Sequence, residues 1–158
     1  MKHISFEKEK KEKKNNKEIS EELLLTKNQI NEINKIYLDV ATDNKSIILR
    51  EIQNKINSYK HQDIEKNILT DKLISLEETL EKLVISKLKC YYCKKPLLLI
   101  YKYSREQSQW TLDRIDNSIG HTNDNTVITC LKCNLEKRKR SHVGFNVSVI
   151  HISETTRQ

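Results

Sequence analysis

Proline occurs once in this chain and glycine twice in 158 residues. So few turn formers argue against a turn-rich all-β fold and against a long flexible linker, leaving one domain with an extension or two small modules. Long apolar runs are also missing. No stretch approaches a membrane span, and the N-terminus lacks the apolar segment of a signal peptide. The expectation is a soluble intracellular protein, cytoplasmic or nuclear, with no membrane association. Apolar residues are scarce as well, at 36% against 32% charged. A chain this poor in core material needs a metal, a partner or helix pairing to hold its smaller parts together.

What is present is unevenly placed. Residues 1–86 carry 16 basic and 16 acidic side chains, whereas residues 87–143 carry 12 basic and 5 acidic. The whole net charge of +7 therefore falls on the second half. A compact module with that surplus favours a polyanion, because each neutralised phosphate releases counterions. The competing reading is a basic surface that only keeps the protein in solution.

Residues 1–18 hold seven Lys and four Glu and almost nothing apolar, the composition of a basic mobile tail. From 19 to 88 the period is helical: Ile30, Ile33, Tyr37 and Val40, then Ile48, Ile52, Ile56 and Tyr59, then Leu73, Leu76, Leu80 and Leu83 step by three and four. Asn44 or Ser46 can cap the second run, and Thr70 or Asp71 the third. This predicts a helical arm of two to four helices, which either binds a protein partner or a second copy, or buries its own seam as a hairpin. Residues 97–103 and 109–115 read as the two strands of a hairpin around "SREQS". Residues 116–125 read as a loop, 126–129 as a short strand, and "CNLEKRKRS" as a helix opening at Asn134. Val143, Phe145, Val147 and Val149 alternate as in a strand within a C-terminal strand and tail, 143–158.

All four cysteines fall in two Cys-x-x-Cys pairs, Cys90 with Cys93 and Cys130 with Cys133. Two such knuckles complete one tetrahedral sulfur site suited to Zn²⁺. A closed four-sulfur site leaves no open position on the metal, so this zinc is expected to hold the fold rather than catalyse. Function must then come from what the knuckles frame: Asp113, the loop with His121 and Asn125, and Asn134 with Lys137 one turn on.

The order of "CYYC", "LDRIDNSIGHTNDN" and "CLKCN-x-x-K" over residues 89–142 resembles the HNH, or His-Me finger, nuclease family, in particular the zinc-bearing branch similar to phage recombination endonuclease VII. The resemblance implies an α+β fold: an N-terminal helical arm (19–88) followed by a small zinc-stabilised ββα-metal module (89–142). It also implies a viral or phage origin as one source, and a metal-dependent phosphodiester hydrolase acting on nucleic acid, DNA before RNA. On this likeness Asp113 and Asn134 would ligate a catalytic Mg²⁺ or Mn²⁺, whose preference for hard oxygen ligands they satisfy. Asn125 would tie the loop together and Gly120 would permit the turn before it. Lys137, Arg138, Lys139 and Arg140 would face the phosphate backbone.

One residue departs from the family pattern. Arg114 stands where the family places the histidine that activates water, and a guanidinium stays protonated at any physiological pH. It can still clamp a phosphate through paired hydrogen bonds. Three alternatives follow: His121 supplies the base from the loop, Asp116 supplies it, or the module binds nucleic acid without cutting, as a binding or structural subunit of a larger nucleoprotein or viral assembly.

Overall fold

The computed structural model describes residues 19–138. Among them the chain is α+β, with four helices and one two-stranded antiparallel sheet. The elements run α1 (Thr26–Tyr37), α2 (Lys45–Glu65), α3 (Leu76–Ile85), β1 (Trp110–Arg114), β2 (Thr126–Cys130) and α4 (Leu131–Arg138). The N-terminal tail, Lys139, Arg140 and the expected strand from Val143 to Val149 lie outside the described residues.

The period-3.6 reading holds best for α2. Ile48, Ile52, Ile56 and Tyr59 form its buried stripe, and the next step of four brings Asp63 onto the same face. Each fully buried isoleucine here stabilises the fold by about 1.5–3 kcal/mol, and Ile52→Ala would cost about 2–5 kcal/mol. In α1 the stripe is shifted from the expected one. Gln29, Ile33 and Ile36 are buried while Tyr37 and Val40 are exposed. Gln29 is drawn in because its amide caps irregular backbone: Oε1 accepts from the Leu99 and Ile100 N–H groups, and Nε2 donates to the Ile100 carbonyl.

The cap of α3 is Ser75, not Thr70 or Asp71. Its hydroxyl accepts from the Glu78 N–H and the Glu78 carboxylate accepts from the Ser75 N–H, a reciprocal capping box. The helix ends where Leu88 N–H returns to the Leu83 carbonyl through left-handed Lys87 and Leu88. That turn delivers the chain directly into the first cysteine pair.

The hairpin expected from residues 97–103 and 109–115 does not form. β1 pairs instead with β2, in register from Trp110↔Cys130 to Arg114↔Thr126. Leu97, Leu99, Ile100 and Tyr101 are buried as irregular chain, which bridges to the strand region at the isolated Leu98↔Gln109 pair. Burial without alternation cannot tell such a segment from a strand. α4 begins at Leu131, directly after β2 and three residues before the expected start.

A single apolar cluster runs from Leu23 through α2 and α3 to Trp110, Cys130 and Cys133. Hydrogen bonds join the two halves as well. Lys55 reaches Gln109 and the Trp110 carbonyl, its ammonium over the Trp110 ring at 4.8 Å, and the Tyr59 hydroxyl accepts the Leu112 N–H at 3.0 Å. The helices thus bury their seams against each other and against β1. No helix among the described residues is long and apolar enough to cross a membrane.

Candidate metal centre and the cleft beside it

The four cysteine sulfurs all lie within 4.8 Å of one another, the one such group of potential ligands among the described residues. Zn–S bonds of 2.3 Å in a tetrahedron place sulfurs about 3.8 Å apart, and Cys93 and Cys130 stand 3.9 Å apart. The cluster could therefore hold a zinc ion. Local backbone builds it. Lys94 adopts a left-handed conformation and returns its N–H to the Cys90 carbonyl, closing the first knuckle. The Tyr91 N–H binds the Ile128 carbonyl, docking that knuckle on β2, while the Cys133 N–H points at the Cys130 sulfur. Cys90, Cys130 and Cys133 are buried and Cys93 is exposed. A hydrogen bond from Cys130 pulls the Cys90 thiol down to about 5, whereas burial pushes Cys133 up to about 12 and Cys130 is raised as its proton is held by Cys90. One negative charge is accepted readily and further ones are resisted until a cation offsets them.

α4 carries the chain from this cluster to a cleft of about 500 Å³, bordered by Asp113, Arg114, His121, Asn134 and Lys137, with Tyr59 and Gln62 contributed by α2. Most of the expected site residues are thus brought together. Asp113 Oδ2 accepts from Lys137 Nζ at 2.7 Å and from the Tyr92 hydroxyl at 3.1 Å. Burial and the Asp113 charge raise the Tyr92 pKa, which keeps its hydroxyl a donor. Asp113 Oδ1 has no partner among the described residues. Asn134 Nδ2 donates to Thr111 Oγ1 at 3.1 Å, and Thr111 is itself held by Thr129. The Asn134 amide oxygen has no hydrogen-bond partner among the described residues and can accept one.

Lys137 is not at the surface where it was expected. It is buried, with its ammonium on Asp113 and on the Arg114 carbonyl at 2.6 Å. Arg114 is also turned inward, donating to the Asn117 carbonyl at 3.0 Å and the Ile119 carbonyl at 3.4 Å, so that it pins the loop after β1. Asn125 pins the same loop from the other side. Its Oδ1 accepts the Asp116 N–H, and its Nδ2 faces the carbonyls of Asp116, Ile119 and Gly120. Gly120 has no left-handed φ; a Cβ there would stand 2.8 Å from Asp63 Oδ2, so the glycine serves close approach rather than a turn. Arg138 borders the cleft and is exposed.

His121 is the largest departure from a solvated loop residue. It is 3% exposed and stacks on Tyr59 with ring centroids 4.5 Å apart. Its Nδ1 lies 2.7 Å from Asp63 Oδ1, and its backbone N–H donates to Asp63 Oδ2 at 2.8 Å. Burial lowers the His121 pKa from 6.5, against the opposing pull of Asp63. Asp116, the other base candidate, is exposed, accepts from Ser118 and does not border the cleft. Asp63 itself was not singled out in the sequence. The available signal was a carboxylate falling on the apolar stripe of α2, one turn after Tyr59.

No family model, curated protein or solved structure matches this chain. The functional reading rests on the chemistry of the cleft and the cysteine cluster.

Proposed function

We propose that the protein is a nucleic-acid-binding, metal-dependent endonuclease of the HNH type, in which β1, β2 and α4 form a ββα-metal module stapled by structural zinc and His121 replaces the missing base. The observation that carries this reading is the convergence of Asp113, Asn134 and His121 on one cleft. Asp113 Oδ1 and the Asn134 amide oxygen are hard donors, a set that fits Mg²⁺ or Mn²⁺. A cation held there would stabilise negative charge on the phosphate and on the leaving 3′ oxygen. His121 takes the proton from the attacking water as oxygen bonds to phosphorus, and the P–O3′ bond breaks, the leaving oxygen taking a proton from solvent, to leave a 5′ phosphate and a 3′ hydroxyl. A neutral imidazole with a lowered pKa is competent for this at neutral pH. Arg114 takes the family's histidine position as a loop staple and a neighbouring positive charge, while Arg138 and the basic residues beyond it supply phosphate contacts.

The Lys137–Asp113 ion pair favours a second reading. An ammonium already neutralising Asp113 suits a module that binds nucleic acid, or builds a nucleoprotein assembly, without cutting. Cleavage of duplex, branched and single-stranded DNA by the zinc-loaded chain separates the two. The endonuclease reading expects cleavage that needs added Mg²⁺ or Mn²⁺ and is lost in Asp113→Ala and Asn134→Ala with zinc retained. Salt-sensitive binding with no cleavage of any substrate by the unaltered chain would establish the second reading.

A further inference from the structure

Asp63 lies far from the cysteine module in sequence, yet its two oxygens are both spent on one residue of the cleft. Oδ2 takes the His121 backbone N–H and Oδ1 faces the ring Nδ1, and Gly120 lacks the Cβ that would collide with this arrangement. Both partners are almost wholly enclosed, with side-chain exposures of 1% for Asp63 and 4% for His121. Tyr59, one turn before Asp63 on α2, covers the flat of the imidazole. Position, tilt and bonding direction of the ring are thus all set by α2.

We infer that Asp63 is a positioning residue which fixes His121 as the Nδ1–H tautomer and so presents its Nε2 lone pair to the cleft, making α2 part of the hydrolytic site; this rests on the endonuclease reading above. The chemistry is that of a carboxylate, which can only accept. Facing Nδ1 it requires the proton there, and the remaining ring nitrogen is then an unprotonated acceptor. Nε2 has no hydrogen-bond partner among the described residues and is not sealed from solvent. The other charges acting on the ring are Lys66, the residue that follows α2, and Arg114 on β1, which both disfavour the imidazolium. Burial adds to them, so the neutral form persists below the usual histidine range.

A merely structural Asp63 would serve as a clasp between α2 and the loop, and asparagine would partly replace it. One amide oxygen can keep the His121 N–H, but the amide NH₂ then faces Nδ1 and drives the ring proton to Nε2. Two readouts on the full zinc-loaded chain separate these roles. Nitrogen-15 NMR of the unaltered protein at pH 7.5 is expected to show His121 as the Nδ1–H tautomer; an Nε2–H or averaging ring overturns the inference and needs no variant to fold. In single-turnover cleavage of plasmid DNA, Asp63→Asn is expected to lower the pH-independent rate by about 10²–10⁴-fold, the span of a lost general base, with the inflection moved to lower pH. Zinc content should stay unchanged. If Asp63→Asn cuts as fast as the unaltered chain while His121→Ala is inactive, His121 is the base and the role of Asp63 is refuted. If His121→Ala cuts normally, the chain is an endonuclease with another base and the catalytic role of Asp63 is refuted; if the unaltered chain cuts nothing, the endonuclease reading itself fails and the role of Asp63 fails with it, even with the Nδ1–H tautomer present.

Discussion

Between Cys133 and Lys137, one turn apart on α4, the molecule changes from one kind of chemistry to another. The cysteine cluster gathers four like ligands of soft sulfur, three of them buried, around a single point. It is closed, so a metal there contributes folding energy and little else. The cleft is assembled from unlike groups on α2, β1, the following loop and α4, and its carboxylates are held inside the protein: Asp113 by the Lys137 ammonium, Asp63 by hydrogen bonds to His121. A closed site stabilises one structure, whereas an open cleft keeps acceptors such as Asp113 Oδ1 and the Asn134 amide oxygen for something that arrives later. The comparison predicts different penalties for damage at the two places.

The largest effect belongs to the cysteines. Removal of zinc with a strong chelator, or Cys130→Ser, should lower the melting temperature more than any single change in the cleft, since apparent zinc affinities of isolated small domains reach about 10–16 kcal/mol. Elemental analysis should give one zinc per chain, and a folded zinc-free protein would remove the distinction drawn above. Next comes the buried ion pair. Asp113→Ala or Lys137→Ala leaves its partner uncompensated and should cost about 3–5 kcal/mol in urea unfolding, while the double variant with Asp113→Leu and Lys137→Met should cost much less than the two together. Additive losses would mean that the pair is not coupled.

Smaller effects sharpen the picture of the cleft. Burial sets the folded His121 pKa below 6.5, so as pH falls the unfolded chain takes up that proton first. Stability from the neutral ring is therefore complete above about pH 6.5 and is lost as pH falls through the lower folded value. Unfolding free energies at pH 7.5 and 5, for the unaltered chain and His121→Gln, should show the slope reduced in the variant. Smallest is Ser75→Ala, which breaks the α3 capping box at a cost of about 1 kcal/mol and should leave zinc content untouched.

The two regions also differ in how far the chain alone discloses them. The cysteine cluster was legible because its ligands come in two local pairs whose spacing dictates convergence. The helical stripe of α2 was legible for the same reason, as a repeat along one element. Parts of the cleft escaped because they depend on contacts between elements. The sign of β1's partner is one case: the apolar run at residues 97–101 looked like a strand, and only tertiary burial by α1 and α2 explains it. The inward turn of Lys137 is another, since a lysine in a basic run reads as solvated until a carboxylate is found beneath it. Asp63 is the clearest case. Its place on the apolar stripe of α2 marks it as a buried carboxylate, but what it holds appears only when α2 is laid against the loop carrying His121.

The central claim is that the cleft is a second, oxygen-lined cation site distinct from the cysteines. Electron paramagnetic resonance of Mn²⁺ titrated into the zinc-loaded chain with a non-cleavable DNA duplex tests it most directly. The account predicts one bound Mn²⁺ that is lost in Asp113→Asn while the zinc content stays at one per chain. Binding that persists in Asp113→Asn, or no bound Mn²⁺ in the unaltered protein, would contradict it.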